Sequence, residues 1–122
     1  MTRSRAIDYL DHIFQAASRA RQYVADHDRP AFLADERTQQ AVILNLVIIG
    51  EAAARLIENH IAFVQQHDEI PWQHMRGMRN RLAHGYFDID LELVWETVGT
   101  DLPELIERLP PIQRRLRCQN PL

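Results

Sequence analysis

Ala41-Val42-Ile43-Leu44-Asn45-Leu46-Val47-Ile48-Ile49-Gly50 is the stretch on which the fold turns. It shows no strand-like alternation. Within a segment from about Glu36 to Asn59, its apolar residues cover nearly the full circumference of a helix. A helix apolar all round is buried on most faces. In so small a chain it is either the central helix of a bundle or one shared with a second subunit. Asp35 stands where an N-cap is needed. Gly50 falls mid-helix, at a cost of about 1 kcal/mol relative to alanine. With Ala52, Ala53 and Ala54 beside it, it allows another helix to approach closely. Glu51 can pair with Arg55 one turn on, as a solvated ion pair. The apolar run is broken by Asn45 and is too short to span a bilayer.

On the N-terminal side, Ile7, Leu10, Ile13 or Phe14, Ala17, Ala20 and Val24 recur with a helical period from Arg5 to Asp26. Asp26 to Pro30 makes a turn, and Ala31-Phe32-Leu33 is a short apolar plug. On the C-terminal side, His60 to Glu69 reads as a helix end plus a loop. Pro71 is a good first residue for a further helix. A last helix follows a cap at Asp88 or Asp90, with Leu91, Val94, Trp95, Val98, Leu102, Leu105 or Ile106, and Leu109 on its apolar face. Pro103 should kink or split it, and Pro110-Pro111 should end it. Arg114, Arg115 and Arg117 then form a basic frayed end, with RNA as a candidate contact. The expectation is an all-α bundle of four main helices plus short pieces, a single domain over residues 1–122.

Of the 122 residues, 46% are hydrophobic, enough for a core. A net charge of −3 excludes a polycation that coats nucleic acid, so any such contact comes from a local patch. One cysteine, Cys118, excludes an internal disulfide and a cysteine zinc site. Met1 to Arg5 leads into an amphipathic segment and not a signal-peptide core. A cytoplasmic protein without a membrane partner is the expectation.

The patch lies in the Pro71 helix. From Ile70 to Phe87 there is no acidic residue, but three arginines and two histidines. Its centre reads Arg79-Asn80-x-x-x-His84-x-Tyr86. At about 100° per residue, Gln73, Arg76, Asn80 and His84 share a polar stripe beside an apolar one of Trp72, Met75, Met78 and Leu82. Arg79 lies between Met75 and Leu82, its stem half buried, and its head needs a carboxylate or a phosphate. His84 is roughly 140° round the helix from Arg79. Either the helix unwinds at Gly85, a C-terminal cap, or a second copy of the motif completes the site. No histidine pair has zinc spacing, no glycine loop suits a nucleotide, and Ser4 and Ser18 lie far from the motif. Arginine plus histidine without metal suits RNA cleavage by the RNA's own 2′-hydroxyl. Asn80 could fix the imidazole tautomer or bind substrate, and Tyr86 could bind phosphate or be modified.

Asn45-Leu46-x-Ile48-Ile49-Gly50-Glu51-Ala52-Ala53, Ile70-Pro71-Trp72-x-x-Met75-x-Gly77-Met78-Arg79-Asn80, His84-x-Tyr86-x-x-x-Asp90 and Val94-Trp95 together resemble the HepT-like branch of the HEPN superfamily. The likeness runs from about Ile7 to Leu109. It implies an up-and-down helical bundle that forms a homodimer, with two Arg-x4-His motifs facing one composite cleft. It further implies a metal-independent endoribonuclease toxin of a toxin–antitoxin pair, requiring no cofactor. The partner so implied is MntA, a minimal nucleotidyltransferase antitoxin that transfers AMP to the motif tyrosine. By this resemblance Arg79 and His84 are the catalytic pair, Asn80 and Arg76 bind or orient RNA, and Tyr86 is the AMP acceptor. Two rivals stand beside it. One is a non-catalytic HEPN module that binds a nucleotide or protein. The other is a helical adaptor in which Arg79 pairs with Asp88 or Asp90.

Overall fold

The computed structural model describes residues 5–119; Met1 to Ser4, on which part of the signal-peptide reading rests, lie outside the described residues. The described residues form helices α1 (Ala6–Tyr23), α2 (Arg29–Leu33), α3 (Glu36–Asn59), α4 (Ile61–Gln66), α5 (Trp72–His84), α6 (Leu91–Glu96) and α7 (Leu102–Gln119). A 3₁₀ turn at Tyr86–Asp88 precedes α6, and a π-turn at Thr97–Asp101 joins α6 to α7. There is no strand among them; the fold is an all-α bundle, as expected.

The stretch Ala41–Gly50 lies at its centre. Asp35 caps α3 by accepting the Thr38 backbone N–H at 3.2 Å and the Thr38 hydroxyl at 2.6 Å. These bonds, led by the hydroxyl, together with the His27 ring at 2.9 Å, hold the Asp35 carboxyl well below its ordinary pKa. Val42, Leu46, Ile49, Ala53 and Leu56 of α3 are buried, with α1 and α5 packed against them. Asn45, the polar break in the run, is buried too and donates back to the Ala41 carbonyl at 2.9 Å. As a whole α3 is long and apolar enough for a bilayer span, which the shorter run Ala41–Gly50 had not suggested. Half of its most apolar window is instead buried in the bundle. What stays open is a strip: Leu44 is 60% exposed, with Val47 and Ile48 half-buried beside it.

The apolar plug is the five-residue α2, capped by Asp28, whose carboxylate accepts the Ala31 N–H at 2.9 Å. It delivers a fully buried Phe32 onto Trp95, with ring centroids 5.3 Å apart. An Arg29–Glu92 ion pair also joins α2 to α6.

Three expectations are corrected. The segment His60–Glu69 is not simply a helix end and loop. Val64 is buried and Phe63 packs on His67 and Trp72, which stabilises the short α4. Pro110-Pro111 does not end the last helix, which continues to Gln119. Two backbone donors are missing there, but Leu109, Ile112 and Gln113 are buried. The Gln113 amide donates to Asp11 at 2.8 Å. Nor is the basic end frayed: Arg117 meets both carboxylate oxygens of Asp11, at 2.6 and 2.8 Å. Pro103, by contrast, has the expected effect. It lacks the N–H that would reach back into the preceding turn, and the ladder opens there as the π-turn.

Candidate active site

The motif helix α5 follows Pro71 and lays Trp72, Met75, Met78 and Leu82 against the core, as its apolar stripe requires. Asp90 caps α6 through the N–H groups of Glu92 and Leu93, at 3.1 and 3.2 Å.

Gly50 sets how close α5 comes to α3. A Cβ at that position would stand 2.2 Å from the Arg79 Cβ and 2.6 Å from the Met75 carbonyl oxygen. No side chain fits, so the two helices touch backbone to backbone where Arg79 begins. Arg79 is 24% exposed, with its stem packed and its head at the rim. Its Nη1 donates to Glu51 Oε1 at 2.7 Å, while its Nε is buried without a hydrogen-bond partner among the described residues. The anion at the guanidinium is thus a carboxylate, but from neither Asp88 nor Asp90. Glu51 also keeps the expected partner one turn on, with Arg55 Nε at 3.2 Å from Oε2. The link from Glu51 to Arg79 was missed in the sequence. Its signal is the Gly50-Glu51 pair: the glycine that admits α5 puts the next side chain beside it.

The other motif residues are open. Arg76 donates to Gln73 at 2.6 Å on the exposed stripe. Asn80 and His84 are exposed, His84 being the last residue of α5. Gly85 follows as the C-cap, its N–H bonding to the Arg81 carbonyl at 3.0 Å. Gly85 is thus the expected cap, with a φ of −121° that lies outside the left-handed region. The Tyr86 backbone enters the 3₁₀ turn; its side chain lies outside what the structure describes. Arg79 and His84 share a helix but not a direction, five positions at about 100° each leaving them some 140° apart.

Among the described residues, no group of three His, Cys, Asp or Glu side chains comes together as a metal-ligand set. A cavity of about 270 Å³ lies between α3, α5 and α7, floored by Leu46, Ile49, Met75 and Met78 and rimmed by Asp101 and Glu104. Neither Arg79 nor His84 lines it.

The family model described as "Ribonuclease HepT-like" matches residues 13–112, which contain the whole motif. "Probable ribonuclease HepT" of Thermococcus cleftensis is 40% identical over 98 residues, 80% of this chain and 86% of the relative. A "Putative RNase" of Caldanaerobacter subterraneus subsp. tengcongensis is 32% identical over 107 residues, 88% of this chain and 93% of the relative. A "Gamma-glutamylcyclotransferase and putative RNase" of Methanocaldococcus jannaschii is 35% identical over 108 residues. There the match takes 88% of this chain but 47% of the relative. No solved structure matches the chain.

Proposed function

The chain belongs to the HepT-like ribonuclease family, and from that membership we propose that it is an endoribonuclease toxin. Its site is completed between two copies, each acting as one domain. The observation that carries the proposal is the placement of Arg79 and His84 on one helix with divergent directions. One copy does not aim both at a phosphodiester, whereas a facing copy supplies the missing group to each half. The open strip of Leu44, Val47 and Ile48 on α3 supports such a pairing, because it is an apolar face left open by the bundle and helical spacing sets it one to two turns before Glu51, the partner of Arg79.

In the proposed reaction a neutral His84 takes the 2′-hydroxyl proton of the RNA. The 2′ oxygen bonds to phosphorus, and the bond to the 5′ oxygen breaks. A protonated His84 of the facing copy gives that oxygen its proton, leaving a cyclic phosphate and a free 5′-hydroxyl. Arg79 holds the non-bridging oxygens as charge builds on phosphorus. Arg76 and Asn80, on the exposed stripe, hold the flanking RNA. No step calls on a metal or another cofactor. Tyr86 is the proposed switch. A partner nucleotidyltransferase antitoxin of the MntA type transfers AMP from a nucleoside triphosphate to its oxygen, releasing pyrophosphate. The added nucleotide fills the cleft, and its phosphate competes for the cations that bind RNA.

Purified Arg79→Ala and His84→Ala variants should remain dimeric and lose RNA cleavage and growth inhibition; full activity in both sinks the proposal. Tyr86→Phe should keep cleaving after incubation with the nucleotidyltransferase and ATP, and take up no AMP by intact mass. A second reading draws on the Arg79–Glu51 pair: the motif serves only the fold. In that case Arg79→Ala lowers the melting temperature and there is no cleavage to lose.

A further inference from the structure

We propose that Glu51 is a positioning residue for this ribonuclease, tethering one nitrogen of Arg79 so that the rest of the guanidinium meets the RNA phosphate. The inference rests on the cleavage reading above and adds to it a residue outside the Arg-x4-His motif. Three features of the α3–α5 crossing carry it. The backbones are locked where the two side chains start, since a Cβ at Gly50 finds Arg79 Cβ at 2.2 Å and Met75 O at 2.6 Å. The origins of Glu51 and Arg79 therefore do not slide past one another. Among the described residues the guanidinium is held at one end: Nη1 bonds to Glu51 Oε1 at 2.7 Å, and Nε is enclosed without a partner. The Nη2 edge is the part left to receive a phosphate oxygen. Finally, the carboxylate is shared, with Arg55 Nε 3.2 Å from Oε2. Arg55 is itself shared with Glu58 at 3.6 Å, so two cations and two carboxylates balance here and the cluster does not repel an anionic substrate.

Magnitudes separate this role from a structural one. Glu51 is 46% exposed and Arg79 24%. Pairs this open to water contribute little to stability, about 0–1 kcal/mol. Misaiming a group that contacts the reacting phosphate by about 1 Å lowers the rate on the order of 100-fold. Removing Glu51 should therefore spare the fold and the encounter with RNA but slow the chemical step.

The test compares wild type, Glu51→Gln, Glu51→Asp and Arg79→Ala as full-length purified chains. It uses a fluorophore-quencher oligoribonucleotide for turnover and its 2′-O-methyl analogue for binding. Glu51→Gln should lose about 10- to 100-fold in kcat, with KM unchanged or lower because a competing anion has gone. Glu51→Asp, with the charge kept and the tether shortened, should fall between. The analogue should bind Glu51→Gln as tightly as wild type or tighter, and Arg79→Ala at least about tenfold weaker. A kcat for Glu51→Gln within twofold of wild type overturns the inference, as does a loss carried entirely by KM or by analogue binding. Full activity in Arg79→Ala overturns the ribonuclease reading of the motif itself, and Glu51 falls with it.

Discussion

Replacing Gly50 by alanine adds one methyl group at the tightest point between α3 and α5. That methyl would stand 2.2 Å from the Arg79 Cβ, 2.6 Å from the Met75 carbonyl oxygen and 3.0 Å from the Arg79 Cγ. Carbon atoms in contact need about 3.5–4.0 Å, so one helix must retreat by more than about 1 Å. The atoms in the way are backbone or lie next to it, and none is the free end of a side chain. Retreat also disturbs Trp72, Met75, Met78 and Leu82, all buried on the same helix. Overpacking of this kind costs about 1–3 kcal/mol, and the backbone obstacles put it at or beyond the upper end. Alanine returns about 1 kcal/mol of helix propensity. The net loss is about 2 kcal/mol, or roughly 8 °C in Tm for a chain of this size. Thermal melts by circular dichroism measure it directly. Gly77→Ala is the matched control, because a Cβ there meets nothing within 4 Å; it should melt a few degrees above wild type, on the order of 3 °C. If Gly50→Ala melts at or above wild type, the close approach of the two helices, and the fixed placement of Arg79 with it, is wrong.

Other perturbations read different parts of the molecule. Asp35→Ala removes the cap of α3 and should lower Tm at neutral pH. Because the folded-state pKa is depressed, the stability Asp35 contributes is complete above about pH 4 and fades as pH falls through the folded value. The Tm gap between wild type and variant should therefore close toward pH 2, and a gap independent of pH refutes the assignment. Leu44→Asp places a charge on a side chain that is 60% exposed in one copy. It should change Tm by little, turn dimers into monomers in sedimentation and abolish cleavage; an active dimer refutes the pairing face. Asp11→Ala strips the acceptor from the buried Gln113 amide and from Arg117, at a cost of about 1–2 kcal/mol in denaturant unfolding. Amide exchange over residues 112–119 should quicken, and unchanged exchange means that apolar contacts alone hold the helix past its prolines.

Much of the fold is local and so is written in the sequence. The bounds of α3 follow from the Asp35 cap and a run with no polar face, and the buried face of α5 follows from Trp72, Met75, Met78 and Leu82 at helical spacing. What escapes sequence reasoning depends on distant partners. The α7 helix continues past Pro110-Pro111 because Ile112 and Gln113 find burial against α1 and Asp11. Nothing within the last twenty or so positions announces a partner on the first helix. The α4 helix exists because Phe63 meets Trp72, nine positions on and across a turn. In each case tertiary burial outweighs a local preference worth only a few tenths of a kcal/mol to about 3 kcal/mol per residue.

The site divides in the same way, and its division bears on how Arg79 works. Sequence demands an anion for a half-buried guanidinium but does not say which, because carboxylate and phosphate present the same pair of oxygens to it. The structure supplies Glu51 at 2.7 Å, which at first favours a purely structural arginine. The energetics weaken that preference. A pair open to solvent by a quarter on one side and nearly half on the other is worth about 1 kcal/mol at most, far less than burying the apolar stripe of α5. An arginine whose only task was to hold α5 would add little to what Met75, Met78 and Leu82 already hold. The same pair, weak as a brace, is strong as an aim: it fixes one nitrogen of a rigid planar fork and leaves the other terminal nitrogen for a phosphate. A lysine at position 79 would satisfy Glu51 equally well but present no second nitrogen. Arg79→Lys is therefore the substitution on which the structural and catalytic roles part: the melting temperature should stay near that of wild type while RNA cleavage collapses.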